Sequence, residues 1–173
     1  MSAAPPGPLA SPGYWLHHAA LTWRAELGRR LRPLGLTPTQ FDVLASLGWI
    51  SRTRGLADGA GTGSAGDHPT QQEVADFAGI DRMMASKVLR VLDDRGLLSR
   101  TPDRTDARAY RLRLTAEGRR TVTESTAIAR SVDVDLFGVV ANVEQLRAAL
   151  ERVAVRPGRA AEASKRDLAN ERH

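Results

Sequence analysis

From Tyr14 to Arg32, the residues Leu16, Ala20, Trp23, Leu27 and Leu31 recur at spacings of three and four, which draws one apolar stripe along a helix. Pro33 and Gly35 end it. Thr37 stands as the N-cap of a second helix, with Pro38 at its first position, where a missing N–H costs nothing. Phe41, Val43, Leu44, Leu47, Trp49 and Ile50 leave that helix little polar surface, so the pattern predicts a largely buried element. From Ser51 to Pro69 the periodicity dissolves into glycine, alanine and serine. Such a composition has almost nothing to bury and predicts a mobile loop. A phosphate cradle would need a Lys-Ser/Thr pair before a helix start, and the segment has neither in place.

Thr70 with Glu73 forms a capping-box pattern that opens a short helix, in which Val74, Phe77 and Ala78 are expected to face inward before Gly79 ends it. Asp81 caps the next helix, running to about Arg95. Two short helices joined by a glycine-containing turn make a helix-turn-helix. The second helix has an apolar face of Met84, Ala85, Val88, Leu89, Val91 and Leu92, and an opposite face of Arg82, Met83, Ser86, Lys87, Arg90 and Asp94. Gly96 supplies a left-handed cap.

A hairpin follows. Leu98–Pro102 is the first strand and Ala109–Leu114 the second, where Tyr110, Leu112 and Leu114 alternate with Arg111 and Arg113 in a period of two. Thr115 caps a long helix with a thin stripe of Val122, Ala129, Val132 and Leu136. Asn142 with Gln145 opens a final helix through about Val153. The chain thus divides into a disordered leader over 1–13, N-terminal helices over 14–50, a glycine-rich loop over 51–69, a helix-turn-helix with wing over 70–115, C-terminal helices over 116–154 and a polar tail over 155–173.

Charge sharpens this picture. The 173 residues carry a net charge of +5, and the stretch from Arg82 to Arg120 alone holds eleven basic side chains against five acidic ones. The excess is local, as on a surface built to meet a polyanion. The recognition helix of such a unit enters the major groove and presents Arg82, Met83, Ser86 and Lys87 to base edges, with Arg90 a turn further on and better placed for phosphate. Arg104 and Arg108 lie at the wing tip, suited to the negative potential of a narrow minor groove. Asp106 is read as the carboxylate that orients a wing arginine. The bland alternative is a basic solvated helix and an ordinary charged hairpin.

The residues from Pro69 to Arg120 resemble the MarR family of bacterial regulators: the Gln71-Gln72-Glu73-Val74-Ala75 helix start, the Leu92-Asp93-Asp94-Arg95-Gly96-Leu97-Leu98 helix end, the Asp106-x-Arg108 wing and the Leu114-Thr115-Ala116-Glu117-Gly118 exit. Weaker likeness extends over roughly 14–153. The resemblance implies a mainly α fold with a small β-hairpin, that is, a winged helix-turn-helix lobe plus dimerisation helices from both termini. It also implies a homodimer on a palindromic site, to which the apolar stripes of the first and last helices add support, and a small aromatic ligand held between the dimer helices and the DNA-binding lobe. Trp15, His18, Trp23, Phe41 and Trp49 lie on the first two helices and would line such a cavity; core and dimer packing is the plainer reading of the same side chains. The chain departs from the family in its long glycine-rich connection, which casts doubt on a small first strand of the wing sheet.

Other classes fare worse. With no cysteine, disulfides, thiol chemistry and thiolate metal sites are excluded, and His17 and His18, as neighbours on a helix, point about 100° apart. No catalytic set, metal site or cofactor motif is expected. No apolar run reaches about 18 residues and the start of the chain lacks the marks of a signal peptide, so the expectation is a cytoplasmic protein. The expected function is a sequence-specific double-stranded DNA-binding regulator, a repressor in the sense that the family implies; the competing class is a winged-helix protein-interaction module that does not read DNA sequence.

Overall fold

A computed structural model of the chain describes residues 7–56, 67–103, 106 and 109–154. The first six residues of the expected leader, ten residues of the glycine-rich loop (57–66), wing-tip Arg104 and Arg108, and the tail from 155 lie outside the described residues. The chain divides into two compact units, 1–132 and 133–173.

Helix α1 (Pro12–Leu31) begins two residues before Tyr14, because Ser11 accepts the Tyr14 N–H at 3.4 Å and Pro12 takes the first position. The expected leader therefore yields its last residues to structure, with a 3-10 turn at Pro8–Ala10 tied to the helix by the Trp15 indole, which donates to the Leu9 carbonyl at 2.8 Å. Only the C-terminal end of the stripe is covered in a single chain: Leu27 and Leu31 are buried, whereas Leu16 is exposed. Helix α2 (Pro38–Thr53) carries the full capping box of Thr37 and Gln40 and continues past Ile50 to Thr53. Its core face is Phe41, Val43, Leu44, Leu47 and Ile50; Trp49, expected to be buried with them, is exposed on the other side.

Helix α3 (Gln71–Ala78) has both arms of its capping box, Thr70 and Glu73. Val74 and Ala75 set its inward direction. Phe77, two residues beyond Ala75 and so turned by about 200°, is exposed, contrary to the sequence reading. Helix α4 (Arg82–Asp94) starts on Asp81, whose carboxylate accepts the Met84 N–H at 2.9 Å, and buries Ala85, Val88, Leu89 and Leu92. Met84 and Val91, expected inward, lie two turns apart along one edge of that face and are exposed.

Strands β1 (Leu98–Pro102) and β2 (Tyr110–Leu114) pair antiparallel, Leu98 opposite Leu114 and Pro102 opposite Tyr110. Leu112 and Leu114 are buried as their alternation predicts. Tyr110 is exposed instead, toward the open end of the hairpin, with the Arg100 guanidinium 4.5 Å over its ring. The doubted third strand survives as a single bridge: Thr70 pairs with Arg111, and the Leu112 N–H reaches the Pro69 carbonyl at 2.9 Å.

Helix α5 (Ala116–Phe137) leaves the wing through Thr115, whose hydroxyl donates to the Gly96 carbonyl at 2.6 Å and accepts the Gly118 N–H at 3.0 Å. Gly118 is a steric necessity, since a Cβ there would stand 1.8 Å from the Leu97 carbonyl oxygen. The buried face of α5 is small and hydroxyl-bearing: Gly118, Thr121, Ser125, Ala129 and Val132, with the Ser125 hydroxyl satisfied by the Thr121 carbonyl at 2.6 Å. In the second unit, Asn142 accepts the Gln145 N–H at 2.9 Å to start α6 (Val143–Ala154), none of whose residues is buried.

Candidate nucleic-acid interface

The amphipathic division of α4 decides what it presents. Its apolar residues are driven against α2, α3 and β1, which leaves Arg82, Met83, Lys87 and Arg90 exposed and Ser86 half-buried beside them. Met83, 72% exposed, sets a large apolar side chain within this solvent-facing row. Arg82, Lys87 and Arg90 form no ion pair among the described residues. Cations held on the open side of a helix-turn-helix, free of carboxylates, keep their donors for phosphate oxygens and base edges.

The wing is built by a residue that sequence reasoning passed over. Asp103 is buried at the end of β1; its carboxylate accepts from Arg111 Nε and, at 3.1 Å, from the Asp106 N–H. The Asp103 N–H in turn donates to the Ala109 carbonyl at 2.9 Å, and the Ala109 N–H to the Asp106 carbonyl at 2.9 Å. Arg111 then donates through Nη1 to the His68 carbonyl at 2.8 Å, which pins the segment before α3 to the wing. Asp103 thus orients Arg111 within the wing. The Asp106 backbone belongs to the same turn, and its expected arginine partners lie outside the described residues. The signal in the sequence was an aspartate opening a tight polar hairpin, where a side chain can bond to the backbone ahead of it.

Several of the eleven basic residues are ties within the protein. Arg95 donates to the carbonyls of Leu34 and Gly35, Arg119 to that of Leu114 at 3.0 Å, and Arg120 pairs with Glu117. Arg54 pairs with Glu73 and donates to the Asp67 carbonyl at 3.4 Å, joining the end of α2 to the start of α3. Burial pulls the Glu73 carboxyl upward, but the bonds from Arg54 and from the Thr70 N–H and hydroxyl outweigh it and hold Glu73 below the usual carboxylate range.

A cavity of about 880 Å³ opens between α2, the wing strand β2 and α5. Phe41, Trp49, Phe77, Leu114 and Val122 give it apolar walls; Arg52, Arg113, Arg119 and Arg130 give it a basic rim, with His68 beside them, against Asp42 as the single acid among the described residues. Burial, then the nearby Arg113, lowers the His68 imidazole below its ordinary range, so it is neutral at pH 7. Its Nδ1 is buried without a hydrogen-bond partner among the described residues. Of the five side chains expected to line a ligand site, Phe41 and Trp49 line this cavity. Trp15 and His18 stand instead at the exposed start of α1, the ring of Tyr14 lying 4.2 Å from that of His18, and Trp23 is half-buried further along the same helix; none of these three lines the cavity. The reason is the length of α1, a 20-residue helix about 30 Å long, which carries its aromatic start away from α2. Among the described residues no three His, Asp or Glu stand together to hold a metal ion, and no helix is long and apolar enough to cross a membrane.

Comparison with known proteins places this geometry. A model of the MarR family matches residues 62–109. The uncharacterized HTH-type transcriptional regulator YdcH of Bacillus subtilis is 29% identical over 147 residues, which span 85% of this chain and 92% of that protein. The HTH-type transcriptional repressor Rv2887 of Mycobacterium tuberculosis is 31% identical over 121 residues, 70% of this chain and 76% of the relative. Among solved structures, the Mycobacterium tuberculosis transcriptional regulator MosR in complex with DNA is similar with a TM-score of 0.63 at 28% identity, over 89% of this chain and 98% of that one.

Proposed function

The chain belongs to the MarR family and is a DNA-binding transcriptional regulator with a winged helix-turn-helix, and from that premise we propose that it is a homodimeric repressor acting on a palindromic operator. The observation that carries the reading is the exposed, uncompensated row of Arg82, Met83, Lys87 and Arg90 on α4. Arg82, Met83, Ser86 and Lys87 enter the major groove and Arg90 takes a phosphate. Arg104 and Arg108 of the wing, with Asp106 in its turn, reach the adjacent minor groove. Pairing of two chains gives cover to the exposed apolar positions of α1 and α6, Leu16 and Leu21 on one and Val143 and Val153 on the other. Two-fold symmetry then demands half-sites one helical turn apart.

Release is assigned to a small aromatic acid in the cavity below Trp49. An aromatic ring suits walls of Phe41, Trp49 and Phe77, and a carboxylate suits a rim of four arginines. The test is selection of operator from a randomised pool of duplexes, followed by titration with wild type, Lys87→Ala and Arg108→Ala. Each substitution should weaken operator binding by about 1–3 kcal/mol for every base edge that it leaves unread. Binding equal to wild type in both variants, or no sequence preference at any salt concentration, refutes the assigned surface. Benzoate is the first ligand probe. It should lower operator affinity, and a Trp49→Ala variant should need more of it.

A further inference from the structure

One guanidinium joins two segments that lie 60 residues apart in the chain. Arg95, the C-cap of α4, donates from Nη1 to the Gly35 carbonyl at 2.8 Å and from Nη2 to the Leu34 carbonyl at 3.0 Å. Both carbonyls belong to the corner between α1 and α2, where the 3-10 turn Arg32–Leu34 closes with the Gly35 N–H on the Arg32 carbonyl at 2.8 Å. Gly35 has φ 62°, a conformation that strains any other residue, and a Cβ there would press on Arg95 Nη2 at 3.3 Å. Glycine is therefore what lets the corner turn its carbonyls toward the fork.

This arginine is poorly placed to read DNA. Two of its donor nitrogens are committed to backbone, and it sits at the far end of α4 from the N-terminal residues that meet base edges. A planar fork with fixed donor directions sets an angle between the two parts that it joins, which a lone ammonium does not. The corner is also where α1 ends, so an α4 tied to it moves with α1. We propose that Arg95 is a positioning residue: it fixes the angle of α4 against the α1–α2 corner and thereby sets the half-site spacing that the protein accepts. This rests on the dimeric reading above, in which α1 belongs to the interface between the two copies.

The probe is the set of duplexes that the full-length wild-type protein recovers from a randomised pool, each remade with one base pair added or removed at its centre. One base pair turns a half-site by about 35° relative to its mate. Wild type should lose roughly tenfold or more in affinity on either altered duplex, and Arg95→Met should narrow that loss to within about threefold, at unchanged dimer mass. Arg95→Lys, which keeps the charge, guards against a folding failure of the first variant and should show the same relaxation in smaller measure. A Lys variant with wild-type spacing preference overturns the proposal. So does uniform weakening on all spacings in the Met variant with the salt slope reduced by about one, the mark of a phosphate that has lost its cation. If wild type itself is monomeric or indifferent to spacing, the dimeric reading fails first and takes this proposal with it.

Discussion

Asp103 offers the sharpest test of how the wing is held. Its side chain is 4% exposed and that of its partner Arg111 20%, so the pair is largely withdrawn from water. Replacing Asp103 with alanine leaves a half-buried guanidinium with only the His68 carbonyl, at 2.8 Å, to receive it among the described residues. Breaking a fully buried pair costs about 3–5 kcal/mol; the residual exposure of Arg111 and its surviving bond reduce this to about 2–3 kcal/mol. Loss of the acceptor for the Asp106 N–H adds about 1 kcal/mol. The total of about 3–4 kcal/mol should lower the thermal midpoint of a chain of this size by about 6–16 °C. Asp103→Asn keeps an acceptor for the turn and loses only the charge, at about 1–2 kcal/mol. Joint replacement of Asp103 and Arg111 by leucine should be milder than Asp103→Ala alone, because no unpaired charge remains. Urea unfolding followed by circular dichroism measures all three. A stability for Asp103→Ala within about 0.5 kcal/mol of wild type, or a double variant worse than the single, refutes the reasoning.

Three further outcomes are expected. Arg90→Ala should weaken binding to operator and to random duplex alike and flatten the salt dependence by about one unit of slope, whereas Lys87→Ala should relax the choice of base at one position; competition titrations at two salt concentrations separate them. Gly118→Ala should cost about 3 kcal/mol or more, despite the better helix propensity of alanine, because its Cβ meets the Leu97 carbonyl; a stabilised variant in urea unfolding would contradict the packing described. Stability should also fall in acid. Hydrogen bonds from Arg29 and then Arg30 lower Glu26 from its ordinary 4.5 to about 2, and Glu73 is lowered as well, so their contribution is complete above about pH 4.5 and is lost as pH falls through the folded values. Lowered by burial, His68 acts in the same direction, with stability lost below its ordinary 6.5; a His68→Gln variant should lack that upper step in a pH series of urea midpoints.

How much of this was legible in the residues follows from the range of each interaction. The Thr37 and Asp81 caps and the Thr70 capping box read directly, because a cap and its partner lie three residues apart. The cationic face of α4 read well for the same reason: Ala85, Val88, Leu89 and Leu92 fix the inward direction, and Arg82, Lys87 and Arg90 follow from it. Edge positions did not. Met84, Val91 and Phe77 are apolar and periodic, yet their burial depends on what stands beside the helix, which periodicity along one element does not contain. Arg95, Arg111 and Arg119 looked like more of the same positive charge, and only the fold reveals that they hold backbone carbonyls, in the case of Arg111 together with the Asp103 carboxylate. The cavity was half legible: Phe41 and Trp49 on α2 belong to it, whereas His68, Arg113 and Arg130 reach it from segments that only tertiary packing brings together.

The double grip of Arg54 bears on how this chain tolerates change. One side chain at the end of α2 holds both the Asp67 carbonyl and the Glu73 carboxylate, so the exit from one helix and the entry to the next are clasped across the intervening stretch. Between ends held in this way, the closure entropy of the stretch grows by only about 0.6 kcal/mol for each doubling of its length. The junction is therefore a natural place to graft an epitope, a fluorophore or a whole cargo domain while the reading head keeps its shape.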